Sequence, residues 1–332
     1  MNTGRAHPLE IDGVRVHAVE WRPATGVAAS DARRVLLVHG LGANTISWLP
    51  FGQLLADRLD APVTAIDLVG FGRTRAPDRE ATIATNRALV ESLLDDIGPA
   101  VVIGNSMGAV IGSGVAARRP ELVDALVLVN PALSWGRVGP SDWWRLARFG
   151  PLMMPALGRR AIATRARMIG PDRLVDDTLT LCLVDRSRLD PAVRQRLIHL
   201  AAERFAYPEA AAAYADAART MLLELSRGRA DLDLAAASAA RPTLLVHGEE
   251  DRLVPVGLAR TAAVRHPALD LEVLDGVGHA PQLEAPDRLL AVVAGWLDAR
   301  MGPWRQQVET GEMREAVETA SSGSRSGRSS PS

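Results

Sequence analysis

The chain has 332 residues, 47% of them apolar, and 38 basic residues against 39 acidic ones leave a net charge of −1. That is enough apolar material for one large core plus an insertion, and the balanced charge gives no electrostatic reason to bind nucleic acid or an anionic membrane. Every basic residue is Arg and none is Lys, which excludes a Schiff-base lysine, a pyridoxal phosphate anchor, a Walker A lysine and a lysine general base. The lone Cys182 permits no intrachain disulfide and no cysteine-rich metal site, and inside the apolar run Leu179 to Val184 it reads as a buried structural thiol. The N-terminal MNTGRAHPLEIDG lacks the apolar stretch of a secretory signal, and no run of about 18 apolar residues offers a membrane span. A cytoplasmic protein is expected.

In chain order, Leu9 to Ile11, the dipeptide Asp12-Gly13 and the alternating Val14 to Trp21 read as a hairpin. Pro23 to Asp31 is a loop. The continuous apolar run Arg34 to His39, closed by Gly40-Leu41-Gly42, suits a strand buried on both faces of a parallel sheet, with a helix over Ser47 to Leu59. A strand over Val63 to Leu68 enters the turn Val69-Gly70-Phe71-Gly72, which Asp67 is placed to order by bonding neighbouring backbone. Thr82 to Ile97 has helical periodicity, stopped by Gly98-Pro99.

Val101 to Ile103 is a short β-branched run leading into Gly104-Asn105-Ser106-Met107-Gly108, and the small apolar segment Ala109 to Ala117 follows as a helix ending near Arg119-Pro120. Ala125 to Val129 is another buried strand. Across residues 131–240 strand signals vanish, and Pro and Gly punctuate helices over Ser141 to Phe149, Asp172 to Val184, Ala192 to Phe205 and Pro208 to Arg227. Strand grammar returns with Thr243 to His247, a helix over Val256 to Val264, the strand Leu271 to Leu274 and a last helix over Leu283 to Ala299. The expected organisation is a core over 1–130 and 241–300, a helical cap over 131–240, and a tail over 301–332 whose end, Ser321 to Ser332, is too poor in apolar residues to order alone.

The strand–turn–helix context around G-x-S-x-G makes Ser106 a candidate nucleophile. Gly104 and Gly108 allow strand and helix to approach closely, and the Met107 N–H, free at a helix start, can stabilise an oxyanion. A serine nucleophile needs a base, and the base needs an acid. His7, His17, His199 and His266 read as surface or structural, and His39 and His247, ending strands, as packing residues. His279 differs, since it follows the last strand in the glycine loop Gly276-Val277-Gly278. For the acid, Glu249, Glu250 and Asp251 all follow the preceding strand and proximity alone leaves the three open. Asn130 and Pro131, after the strand before that, offer no rival.

Taken together, His39 to Gly42, the D-x-x-G-x-G turn Asp67 to Gly72, the elbow Gly104 to Gly108, the G-x-x-D loop Gly248 to Asp251 and Gly278-His279 resemble an α/β-hydrolase with a helical cap, over roughly residues 9–300. The resemblance implies an α/β fold with a mostly parallel sheet flanked by helices. It also implies a triad of Ser106, Asp251 and His279, favours Asp251 over the two glutamates, and makes the Leu41 N–H the second oxyanion donor beside Met107. Serine at the elbow disfavours the dehalogenases and epoxide hydrolases of the fold, which carry Asp there. The elbow also resembles that of cofactor-free carbon–carbon hydrolases, but Ala280 stands where those usually place Trp.

The expected reaction is therefore hydrolysis of a small, apolar carboxylic ester through an acyl-enzyme, with no metal, no cofactor and no nucleic-acid partner. Trp48 and, in the cap, Trp135, Trp143, Trp144 and Met153 are candidates to line the acyl pocket. The alternatives are a carbon–carbon bond hydrolase or perhydrolase of the same fold, and a ligand-binding protein with little turnover.

Overall fold

In the computed structural model, which describes residues 3–24, 33–134 and 155–302, Asp12 and Gly13 both take positive φ, 48° and 72°, as a two-residue hairpin turn demands. Across it β1 (Arg5–Ile11) pairs antiparallel with β2 (Val14–Trp21), Ile11 opposite Val14. β1 starts at Arg5 rather than Leu9, because an outer strand with mostly solvent-facing side chains carries little hydrophobic period, and its Pro8 is tolerated at a sheet edge.

The other strands are β3 (Arg34–Val38), β4 (Val63–Ile66), β5 (Ala100–Asn105), β6 (Val123–Val129), β7 (Thr243–Gly248) and β8 (Leu269–Leu274). They form one eight-stranded sheet in the order β1-β2-β4-β3-β5-β6-β7-β8. β2 runs antiparallel to β4, and every pairing from β4 to β8 is parallel.

Both faces of the central strands β3, β5, β6 and β7 are buried, which explains why these read as unbroken apolar runs. Leu36, Val38, Val102, Leu126 and Leu128 point to one face and Val35, Leu37, Val101, Ile103 and Val127 to the other. The first face is covered by α2 (Ile83–Ile97), α3 (Met107–Arg118) and α8 (Val256–Arg265) through residues such as Leu93, Ile111 and Ala262. The second is covered by α1 (Leu49–Leu59) and α10 (Pro286–Met301) through Leu55, Leu59, Leu289 and Val293. A one-turn helix, α9 (Pro281–Glu284), leads into α10. Thr82 caps α2 by accepting the Thr85 N–H, and the stretch Thr45–Trp48 is a 3-10 turn rather than the first turn of α1.

Between β6 and β7 the described residues are helical: α4 (Pro155–Cys182), α5 (Pro191–Arg204), α6 (Ala210–Ser226) and α7 (Arg229–Ala240). α4 is broken at Gly170, φ 75° and ψ 168°, ahead of Pro171, where the Gly-Pro pair marks a helix boundary in the sequence. α7 has no counterpart in the sequence reading, because its alanine-rich pattern shows little period. It packs on α3 and adds Leu234 and Ala237 to the first face, while the partly buried pairs Arg87–Glu224 at 3.0 Å and Arg118–Asp233 at 3.4 Å tie α2 and α3 to α6 and α7. The expected helix over Ser141 to Phe149 and the expected tail beyond 302 lie outside the described residues.

At the centre, α3 crosses β5 and β3 so closely that a Cβ on Gly104 would sit 2.4 Å from the Gly108 carbonyl carbon, and one on Gly108 would sit 2.2 Å from the Val38 carbonyl oxygen. Backbone on both sides leaves nothing to give way. Gly108→Ala is therefore expected to cost about 3 kcal/mol or more, at the upper end for overpacked cores. Gly257→Ala, where a Cβ meets open space in α8, should hold or slightly raise stability. Chemical denaturation of both variants checks this, and equal effects would contradict it.

Candidate active site

Each predicted catalytic residue follows a parallel strand, so strand order decides which of them meet. Ser106 follows β5, Asn130 follows β6, Glu249 to Asp251 follow β7 and Gly276 to His279 follow β8. These four strands are consecutive neighbours in the sheet, and their carboxyl ends form one edge, where ligands of open α/β sheets gather.

Ser106 holds φ 53° and ψ −111°, a conformation that costs a non-glycine residue about 1–3 kcal/mol. It persists because its backbone is held from three sides. The Ser106 N–H donates to the Val129 carbonyl at 3.0 Å, and its carbonyl accepts the N–H groups of Ala109 at 3.1 Å and Ala132 at 3.3 Å. Gly40 must be small for the same reason, since a Cβ there would lie 3.2 Å from the Ser106 Cβ. Leu41 directly follows Gly40 and Met107 directly follows Ser106, and the N–H of neither donates to another group among the described residues.

Of the three acidic residues after β7, Glu249 and Glu250 face solvent, Glu249 pairing with Arg260 at 3.2 Å, while the Asp251 side chain has no solvent exposure. Asp251 Oδ1 accepts the N–H groups of Leu253 and Val254 at 2.8 and 2.9 Å. Its Oδ2 accepts from Asn130 Nδ2 and His279 Nδ1, each at 2.7 Å. Burial opposes ionisation of this carboxyl, but the hydrogen bond and charge of His279, with the Val254 N–H and the Asn130 amide, outweigh it and hold the pKa below its ordinary value. The bond engages Nδ1, and His279 Nε2 has no hydrogen-bond partner among the described residues.

The backbone carrying His279 is tied to several segments. Asn105 Nδ2, beside Ser106, donates to the His279 carbonyl at 3.2 Å, Asn130 Nδ2 donates to the Gly278 carbonyl at 3.2 Å, and the His279 N–H donates to the Cys182 carbonyl at 2.6 Å. The Cys182 thiol is pushed up to about 12 by burial and by the nearby Asp251 charge, so it is unsuited to act as a thiolate.

Asn130 is the residue that sequence reasoning passed over, because it is not an acid. It takes φ 45° at the end of β6, a left-handed conformation that Asn tolerates better than most residues, and its amide then reaches both Asp251 and the histidine loop. An Asn-Pro pair directly after a buried strand is the signal that marks it.

The two other strand-end histidines have structural partners. His39 accepts the Leu68 N–H at Nε2 (3.0 Å), donates from Nδ1 to the Gly40 carbonyl (2.8 Å) and meets Phe71 edge-on. His247 donates from Nε2 to the Val254 carbonyl at 2.8 Å and lies 3.5 Å from Asp251 Oδ2. Asp67 is buried and accepts the N–H groups of Thr45 and Arg73, ordering the turn beneath Gly72. Trp48 is fully buried, tilted against Phe51 at 6.0 Å, and the pocket candidates Trp135, Trp143, Trp144 and Met153 lie outside the described residues. Among the described residues no cluster of His, Cys, Asp or Glu could hold a metal ion, and no helix is long and apolar enough to cross a membrane.

Burial lowers the pKa of His17, His39 and His247 from the ordinary value of about 6.5. Below that value the unfolded chain binds protons that the native state refuses, so the stability these residues confer is complete above about pH 6.5 and drains as pH falls. The melting temperature should therefore be level at mildly alkaline pH and decline as pH falls below about 6.5, with Asp251 adding a further loss below about pH 4. Replacing His247 by Gln should make the first decline shallower, His17 and His39 supplying the remainder. Scanning calorimetry against pH checks this, and a flat profile across that window would contradict it.

A model described as the alpha/beta hydrolase family matches residues 35–292. An uncharacterised protein of Mycobacterium tuberculosis (strain ATCC 25618 / H37Rv) is 28% identical over 293 residues, 84% of this chain and 79% of that protein. Lipase LipV of the same strain is 39% identical over 110 residues, 32% of this chain and 40% of the lipase. A 2-hydroxy-6-oxononadienedioate/2-hydroxy-6-oxononatrienedioate hydrolase of a Pseudomonas species is 25% identical over 268 residues, covering 79% of this chain and 87% of that enzyme. Among solved structures, a thermophilic esterase from Thermogutta terrifontis superposes with a TM-score of 0.65 at 22% identity, covering 89% of this chain and 99% of that one, a likeness of fold. The strand order, the strained turn after β5 and the family match over residues 35–292 agree, and the chain belongs to the alpha/beta hydrolase family.

Proposed function

We propose that this hydrolase cleaves a carboxylic ester through Ser106, His279 and Asp251. The observation that supports this most is the buried 2.7 Å bond from His279 Nδ1 to Asp251 Oδ2, in a loop that is itself bonded to the residue beside Ser106. In this reading His279 Nε2 takes the Ser106 proton as Oγ attacks the ester carbonyl, and Asp251 holds the imidazole tautomer and stabilises the imidazolium. The Leu41 and Met107 N–H groups receive the oxyanion. His279 then protonates the departing alkoxide, and the acyl-enzyme is hydrolysed by a water that His279 activates in turn. No cofactor enters any of these steps. The lipase relative, matching over 110 residues, supports ester chemistry.

A serine-reactive fluorophosphonate tests the assignment. Ser106→Ala should abolish labelling and lower turnover of an activated ester by about a millionfold. Asp251→Asn should keep the fold and lose about four orders of magnitude, while Glu249→Gln and Glu250→Gln, changes at solvent-facing side chains, should stay near wild type. Labelling that persists at another serine would overturn the reading.

A second reading is favoured by the Pseudomonas relative over 268 residues and by the elbow Asn105-Ser106-Met107: cleavage of a carbon–carbon bond in a dienol acid. That reaction requires protonation of a substrate carbon and a shaped wall beside the histidine, where this chain has the small residue Ala280. Hydrolysis of p-nitrophenyl butyrate with little turnover of a vinylogous diketone acid is therefore expected. A preference for the diketone acid of about a hundredfold in kcat/KM, about 2.7 kcal/mol in the transition state, would reverse the ranking of the two.

A further inference from the structure

Glu284, five residues beyond His279, has a side chain with no solvent exposure, yet the cation beside it among the described residues is the half-exposed Arg188, whose Nη1 lies 3.7 Å from Oε1 and is itself engaged with the Gly276 carbonyl at 2.8 Å. A carboxylate removed from water must fill its lone pairs or destabilise the fold by several kcal/mol. Glu284 fills them with backbone. Oε1 accepts the N–H groups of Val184 and Asp185 at 2.9 and 2.8 Å, and Oε2 accepts the Gly278 N–H at 2.8 Å.

Val184 and Asp185 lie just beyond α4 in the helical insertion, after Leu183, and Gly278 precedes His279. One side chain therefore spans two segments about a hundred positions apart, at the point where the Cys182 carbonyl takes the His279 N–H and where a Cβ on Gly278 would lie 2.4 Å from that same carbonyl oxygen.

We propose that Glu284 is a positioning residue for His279, locking the histidine loop to the end of α4 in one register. The proposal rests on the reading of His279 as the catalytic base. The carbonyls of Gly278 and His279 are held by Asn130 and Asn105 from the sheet side, and their N–H groups by Glu284 and Cys182 from the insertion side. Both sides are needed to fix the peptide that carries the imidazole. Glutamine cannot replace Glu284 neutrally, because its amide offers one acceptor oxygen and turns an N–H2 donor towards either Gly278 or the Val184–Asp185 pair. The loop must shift to separate the donors, and a displacement of about 1 Å at a catalytic group costs about a hundredfold in rate.

The test uses the whole protein. Glu284→Gln, assayed on p-nitrophenyl butyrate well below its melting temperature, should lower kcat by about tenfold to a hundredfold with KM within about twofold. The downfield proton NMR signal of the His279 Nδ1–H bonded to Asp251 should shift or broaden. In the wild-type protein, amide hydrogen exchange of Val184, Asp185, Gly278 and His279 should share one protection level, as groups opened by a single event do. Exchange needs no variant to fold, so it decides the matter should Glu284→Gln fail to accumulate. A folded Glu284→Gln with a lower melting temperature but unchanged kcat and an unchanged His279 proton would reduce Glu284 to a structural residue. Unprotected Val184 and Asp185 amides beside protected Gly278 and His279 would equally overturn the proposal. The proton signal and the exchange pattern are read without substrate, so they decide on Glu284 even if fluorophosphonate fails to label Ser106 and the ester reading falls.

Discussion

A carboxylate with no access to water at Asp251 is the constraint on which the surrounding structure depends. Such a group is stable in the charged form only when donors surround it, and those donors cannot all come from its own loop. Leu253 and Val254 supply two N–H groups locally, but Asn130 comes from the end of β6 and His279 from the loop after β8. Filling the valences of one side chain thus fixes the mutual placement of three strand ends. The parallel order β6-β7-β8 brings those ends side by side, and a different crossover would take away both of these donors to Asp251 Oδ2.

The elbow after β5 is governed by a second constraint, steric rather than electrostatic. The first turn of α3 can lie against β3 and β5 only because Gly104 and Gly108 carry no side chain, and the chain passes between them through a left-handed serine. The strain in Ser106 is sustained by bonds from its backbone to Val129, Ala109 and Ala132. Core packing thereby holds a local conformation that the residue would not adopt alone, at the carboxyl end of β5.

The helical insertion is joined to this edge through backbone as well as apolar contact. Leu179, Leu183 and Val193 enter the second face of the core, while Arg204 of α5 donates to the Gly70 and Gly72 carbonyls at 2.7 and 2.8 Å, above the turn that Asp67 orders. Burial lowers the pKa of that guanidinium, nearby carboxylates opposing the shift. The insertion therefore touches the loops after β4 and β8 with hydrogen bonds that have defined direction, which hydrophobic contact alone does not provide.

What the sequence by itself determined is what depends on near neighbours. The Asp12-Gly13 hairpin, the unbroken apolar runs of β3, β5, β6 and β7, the glycines at the elbow and the Gly170-Pro171 break all follow from local sterics and hydrophobic period, and each is readable in a window of about ten residues. Tertiary structure decided the rest. Glu249, Glu250 and Asp251 are equivalent by position, and what separates them is that one turns inward to Asn130, 121 positions away. Asn130 and Glu284 carry no sign in a local pattern, since their roles lie in bonds to segments brought close by the sheet order. α7 likewise shows little period of its own and is helical against α3, where Leu234 and Ala237 find a core to enter. The physical reason is the same in each case: a polar group or a weak helix is specified by the partner that satisfies it, and here that partner is supplied by the fold rather than by neighbours in the chain.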